Sequence, residues 1–114
     1  MPKPRLRVRA VLFDMDNTLI ASRMDYAAMR REVGAWLVRE GYLAGDETAV
    51  GTTGSLIHAA MERGLAGGAL DQVWAICARH EAEGMRGAVP EPGARETLER
   101  LRGRGLLLAV LTNN

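Results

Sequence analysis

Residues 9–20, Arg-Ala-Val-Leu-Phe-Asp-Met-Asp-Asn-Thr-Leu-Ile, decide the fold. The apolar run Val11-Leu12-Phe13 delivers two aspartates, Asp14 and Asp16, one residue apart, with Thr18 two further on. Such a run reads as a buried strand of a sheet. Ending it in acid-x-acid puts both carboxylates at the strand's carboxyl end, the edge at which open α/β sheets bind ligands. Two carboxylates so close can hold a divalent cation. They can also divide nucleophile and acid roles if their pKa values are pushed apart.

A second apolar run closes the sequence. Residues 105–114, Gly-Leu-Leu-Leu-Ala-Val-Leu-Thr-Asn-Asn, stop at Thr112-Asn113-Asn114. The two stretches together resemble the haloacid dehalogenase-like hydrolase superfamily. Its motif I is an apolar strand followed by Asp-x-Asp-x-Thr, and its motif II is an apolar strand ending in Thr or Ser, often followed by Asn. The bland reading is an Asx-turn at Asp14–Asp16 and a helix cap at Thr112–Asn114. It needs two coincidences, in order, at two strand ends.

Composition sets the bounds. At 114 residues the chain has the length of one ordinary domain. A net charge of +1 leaves no polyanion-binding footprint, and 4% aromatics leaves little to stack on bases, so nucleic acid is not an expected partner. The single cysteine, Cys77, precludes an internal disulfide and fits a reducing compartment. No stretch reaches the roughly 18 consecutive apolar residues of a membrane span, so no membrane is expected. The basic start leads into only a short apolar run, a poor signal peptide, and the expected location is cytoplasmic.

The region between the two runs reads as helical. A Pro-containing tail (1–5) precedes a strand over 6–13, in which Leu6, Val8 and Ala10 alternate with Arg5, Arg7 and Arg9. Asp25 is placed to cap a helix running to Glu40, and Gly41 to end it. Ser55 is placed to cap a helix over Leu56–Arg63. Gly67-Gly68 reads as a break, with a third helix starting near Asp71, ending near Gly84 and carrying Leu70, Val73, Trp74 and Cys77 on one face. Trp36 and Trp74 are expected to pack this module, with the lining of a substrate entrance as the alternative for one of these rings, and His58 and His80 to lie on solvated faces. Residues 87–93 read as a linker and 92–102 as a helix. The result is a βαβ unit with parallel strands, a right-handed crossover and a helical module spliced into its first connection.

The resemblance implies the same layout and adds chemistry. The fold class is α/β, a partial Rossmann-like core with its first two parallel strands and an inserted α-helical cap. Residues 1–21 would be core with motif I, 22–86 the cap, and 87–114 core with motif II. Asp14 would be the nucleophile and would form an aspartyl-phosphate, and Asp16 the general acid and then base. Mg²⁺ would bind the Asp14 carboxylate and Asp16 through its backbone carbonyl. Thr112 and Asn113 would contact phosphate, while Thr18 fixes the loop. Because a halide leaving group needs no proton, Asp16 favours a phosphatase. The implied substrate is a small phosphorylated metabolite, with a phosphoglycolate phosphatase-like activity the commonest for this architecture. Oligomeric state has no signature here.

The family pattern continues with a lysine motif and then an acidic motif. Neither lies within residues 1–114, where the sole lysine is Lys3. The expectation is the amino-terminal portion of a longer phosphatase, with little or no turnover alone and strand faces that lack their covering layers. The alternative is a non-catalytic binding module, or half of a complemented enzyme.

Overall fold

The computed structural model describes Met1 and residues 7–112. The run that follows Arg9 forms strand β1 (Ala10–Asp14), and the last apolar run forms β4 (Leu107–Leu111). They pair in parallel, with Ala10 opposite Leu107 and Asp14 opposite Leu111. β1 begins at Ala10, later than the alternating pattern suggested, because its pairing begins there. The last link is the Leu107 amide, which donates to the Arg9 carbonyl at 3.0 Å.

The strands are not buried as their composition suggested. Residues directly opposite in the ladder share a side of the sheet. One side carries Val11, Phe13 and Leu108, half-buried, with Phe13 and Leu108 sharing a shallow cavity with Leu98 of helix α4 (Ala94–Gly103). The other side carries Leu12, Leu107 and Leu111, which are 62%, 73% and 66% exposed. Nothing among the described residues of this unit covers it.

α4 starts at Ala94 rather than Pro92. Gly93, at φ +81°, is a left-handed cap residue, so the helix begins after it. The presumed linker holds a small strand, β3 (Val89–Pro90), paired antiparallel with β2 (Ile20–Ala21). The Glu91 amide extends this link by donating to the Leu19 carbonyl at 2.8 Å.

Arg23–Arg86 is a separate compact unit, distinct from the strand-bearing residues on either side of it. Helix α1 (Tyr26–Arg39) is capped by Asp25, whose carboxylate accepts from the Ala28 amide at 2.8 Å, and it ends before Gly41 at φ +82°. A 3₁₀ turn (Gly45–Thr48) leads to helix α2 (Thr53–Glu62). Its cap is Thr52 and not Ser55. The Ser55 amide donates to Thr52 Oγ1 at 3.1 Å and the Thr52 amide donates to Ser55 Oγ at 2.9 Å, so Ser55 is the reciprocal partner one turn in.

Helix α3 (Gly67–Met85) opens with the glycine pair that had read as a break. Glycine costs least in a first turn, where its amide has no intrahelical partner, and the extension packs Ala69 and Leu70 against the core that Val73 and Cys77 enter. The core of this unit joins Val33 and Leu37 of α1, Leu56 and Ile57 of α2, Leu65, and Val73 of α3. Trp36 is buried and stacks on Tyr42 with ring centroids 6.2 Å apart. Trp74 departs from expectation: it is 50% exposed, because Val73 and Cys77 take the inward positions of α3. The unit's two ends are stapled by the Arg23 amide, which donates to the Gly84 carbonyl at 2.9 Å. No helix among the described residues is long and apolar enough to cross a membrane.

Candidate active site

Asp14 is the last residue of β1, and its ladder partner is Leu111, directly before Thr112. The parallel register therefore brings Asp14 and Thr112 to the same carboxyl edge. A cavity of ≈270 Å³ lies there, lined by Leu12, Phe13, Asp14, Leu111 and Thr112. Asp14 and Thr112 are exposed and Asp16 is half-buried. Asn113 lies outside the described residues.

After β1 the chain turns back within a few residues. The Met15 carbonyl accepts from the Leu19 and Ile20 amides at 2.9 and 3.1 Å, and the Asn17 amide donates to the Ile20 carbonyl at 2.8 Å. Asp16 is bridged to Ile20 inside this turn. Asn17 adopts φ +58°, a left-handed conformation that Asn tolerates better than other residues with a Cβ. Sequence reasoning did not single out Asn17. Its signal was an Asn directly after the acid pair, a residue type enriched at such positions. Thr18 Oγ1 donates to Asp14 Oδ2 at 3.1 Å, so its hydroxyl orients the Asp14 carboxylate, in keeping with a loop-fixing role.

Asp14 and Thr112 bring hard oxygen donors to this cavity, while Asp16, two residues after Asp14, is not among the residues that line it. No group of three or more acidic, histidine or cysteine side chains that could hold a metal occurs among the described residues. Mg²⁺ suits such donors, since it is commonly held by one or two carboxylates while keeping waters and substrate phosphate oxygens.

The remaining candidate groups all belong to the helical unit. His58 lies on a solvated face, its Nε2 3.7 Å from Glu62. His80 does not: its side chain is only 13% exposed, and Nε2 meets Glu32 Oε2 at 2.6 Å, with Arg79 on the other carboxylate oxygen. These bonds, Arg79's first and then His80's, hold the Glu32 carboxyl below its usual range. Cys77 is buried, and burial followed by the charge of Glu81 pushes its thiol up. It is a wall of the core and a poor nucleophile.

Residues 11–114 match the family model of the haloacid dehalogenase-like hydrolases. The chain belongs to that family. No curated protein and no solved structure matches the chain. Membership makes a hydrolase of a chain whose two motif segments converge on one sheet edge, with Asp14 and Thr112 lining the same cavity.

Proposed function

We propose that the protein is a Mg²⁺-dependent phosphatase of the haloacid dehalogenase-like family, acting on phosphate monoesters of small metabolites. The observation that carries this reading is the pairing of Asp14 with Leu111, which sets a carboxylate and the Thr112 hydroxyl on one cavity at the carboxyl edge of a parallel sheet. A carboxylate is ionised at neutral pH and makes a labile acyl phosphate, which suits a nucleophile. Asp14 attacks phosphorus, and the bond from phosphorus to the alcohol oxygen breaks. Asp16, as general acid, gives a proton to that departing oxygen. Asp16 then takes a proton from water as the water attacks the aspartyl-phosphate, releasing phosphate and restoring Asp14. The Thr18 hydroxyl holds the Asp14 carboxylate in one orientation for both steps. Thr112 and Asn113 donate to the phosphate oxygens. Mg²⁺, held by Asp14 and Asp16, would offset charge on the transferring group.

Asp16 favours phosphate over halide, because an alcohol leaves as a neutral molecule only if something protonates it. The helical unit Arg23–Arg86 is read as a cap that limits substrates to small molecules and excludes water during transfer. Cytoplasmic residence belongs to the same proposal and is supported by the free thiol of Cys77.

The test is release of phosphate from p-nitrophenyl phosphate with and without Mg²⁺, beside a Mg²⁺ titration followed by NMR. Asp14→Asn should lower any Mg²⁺-dependent rate at least ~1,000-fold, as loss of a nucleophile does. Asp16→Asn should lower it at least about 100-fold, the share of a general acid. In a chain completed by the later lysine and acidic motifs, Asp14-dependent metal binding without turnover would support a binding module instead, whereas little or no turnover by residues 1–114 alone accords with the phosphatase reading.

A further inference from the structure

A cleft of ≈500 Å³ lies within the helical unit, between α1, the first turn of α2 and α3. Its wall is mostly apolar, and two large aromatic side chains on it, Tyr26 and Trp74, are about half exposed. Two opposite charges line the same cleft. Arg30 Nη1 donates to the Thr48 carbonyl at 2.8 Å, which fixes the guanidinium, yet Arg30 joins no ion pair among the described residues. Glu81 joins none either. Some charges of this unit pair, Glu32 with Arg79 and His80, and Glu47 with Arg63, while others, such as Arg31, Asp71 and Glu83, join no ion pair among the described residues; what sets Arg30 and Glu81 apart is that both line the cleft. A fixed cation and an anion left unpaired beside exposed rings form a wall complementary to a molecule carrying the reverse charges and a ring.

We propose that this cleft binds a small zwitterion bearing an apolar ring, the chemistry of a free aromatic amino acid. Arg30 takes the carboxylate in the forked geometry of a guanidinium. Glu81 takes the ammonium, and Trp74 and Tyr26 take the ring. The cleft has the size usual for small-molecule sites, apolar with a few convergent polar groups. Cys77 contributes only buried wall. The proposal is independent of the Asp14 chemistry.

Three ligands divide the recognition: L-phenylalanine, phenethylamine without the carboxylate, and 3-phenylpropanoate without the ammonium. Calorimetric titration of the full chain should give saturable binding of phenylalanine, with each single-charge analogue at least about tenfold weaker. Arg30→Gln should abolish the preference over phenethylamine, and Glu81→Gln the preference over 3-phenylpropanoate. Ala27 also lines the cleft and is exposed, so Ala27→Phe should fill the space and abolish binding while leaving the far-ultraviolet circular dichroism unchanged. Three outcomes overturn the proposal: no saturable binding up to about 10 mM, a range that would leave affinity weaker than ordinary recognition; equal binding of all three ligands; or undiminished binding by Ala27→Phe. The ligand comparison on the unaltered chain stands even if Arg30→Gln disturbs the loop that Thr48 anchors.

Discussion

The helical unit and the strands that flank it both carry apolar runs, but only one of them buries its own. Among the described residues every buried apolar side chain except Ala94 belongs to Arg23–Arg86. The sheet that presents Asp14 and Thr112 leaves Leu12, Leu107 and Leu111 in solvent. Two paired strands with one helix bury little, and sheets gain independent stability from three or more strands or from cover on their apolar face. The buried core and the proposed site therefore lie in different parts of the chain. The helices hold themselves together by a core, and the site-bearing strands hold by backbone hydrogen bonds and half a face.

The sharpest way to break this comparison is to truncate one leucine in each part. Leu37 is fully buried in the helical core, and Leu37→Ala should cost about 2–5 kcal/mol. Leu12→Ala should change stability by no more than about 0.5 kcal/mol, as surface truncations do. Urea unfolding followed by circular dichroism reads both. Equal losses would mean that the Leu12 face is covered in solution, and the contrast would collapse.

A second pair sharpens what holds the helical unit closed. A Cβ added at Gly84 would sit 2.9 Å from Met24 Cα, a backbone atom that cannot swing aside while the Arg23 amide is bound to the Gly84 carbonyl. Gly84→Ala should therefore cost about 1–3 kcal/mol, the range for overpacking. Gly68 is the control: nothing lies within 4 Å of its added Cβ. Gly68→Ala should be neutral or stabilising by up to about 1 kcal/mol, since alanine loses less backbone freedom in a helix. Thermal midpoints compare the two.

The same contrast explains what could be read before the structure was known. Periodicities in Tyr26–Arg39 and around Val73 were legible because a self-contained core imposes the 3.6-residue pattern, and the strand–helix–strand order followed from two apolar runs. Boundaries were less legible. Ser55 carried a cap residue's identity but sits at the reciprocal position, and Gly67-Gly68 opens a helix that its composition argues against. Trp74 read as core because hydrophobicity alone cannot tell a buried ring from one lining a cleft. The pairing of Ile20–Ala21 with Val89–Pro90 left no pattern in so short a stretch. The meeting of Asp14 with Thr112 was legible only through motifs, because long-range register is invisible in either strand alone.

Within the site segment the turn after β1 offers a smaller test. Asn17 holds φ +58° and so spares the turn the strain that a branched side chain would bring. Asn17→Val should cost about 1–2 kcal/mol, the penalty of a left-handed residue, and displace the amide resonances of residues 14–20. Asn17→Gly should preserve both. If the valine variant leaves the resonances in place, the strands take their geometry from something other than this turn.

The smallest effect is electrostatic and returns to the helical unit. The Glu47 carboxylate accepts two bonds from Arg63 at 2.6 Å each and one from the Ala44 amide at 2.8 Å, which lower its pKa from 4.5 to about 2. Glu32 is lowered too, by Arg79 and then His80. A carboxyl held lower in the folded state than in the unfolded one stabilises fully above its unfolded value, and that contribution disappears as pH falls through the folded value. The window for Glu47 therefore runs from about 4.5 down to about 2. Both partners are substantially exposed, so salt at about 1 M, with a screening length near 3 Å, should flatten the slope as Glu47→Gln does. The readout is the thermal midpoint of the helical signal across that range. If Glu47→Gln leaves the slope intact and Glu32→Gln removes it, the acid-sensitive tie is the one between α1 and α3, where Arg79 and His80 bind Glu32.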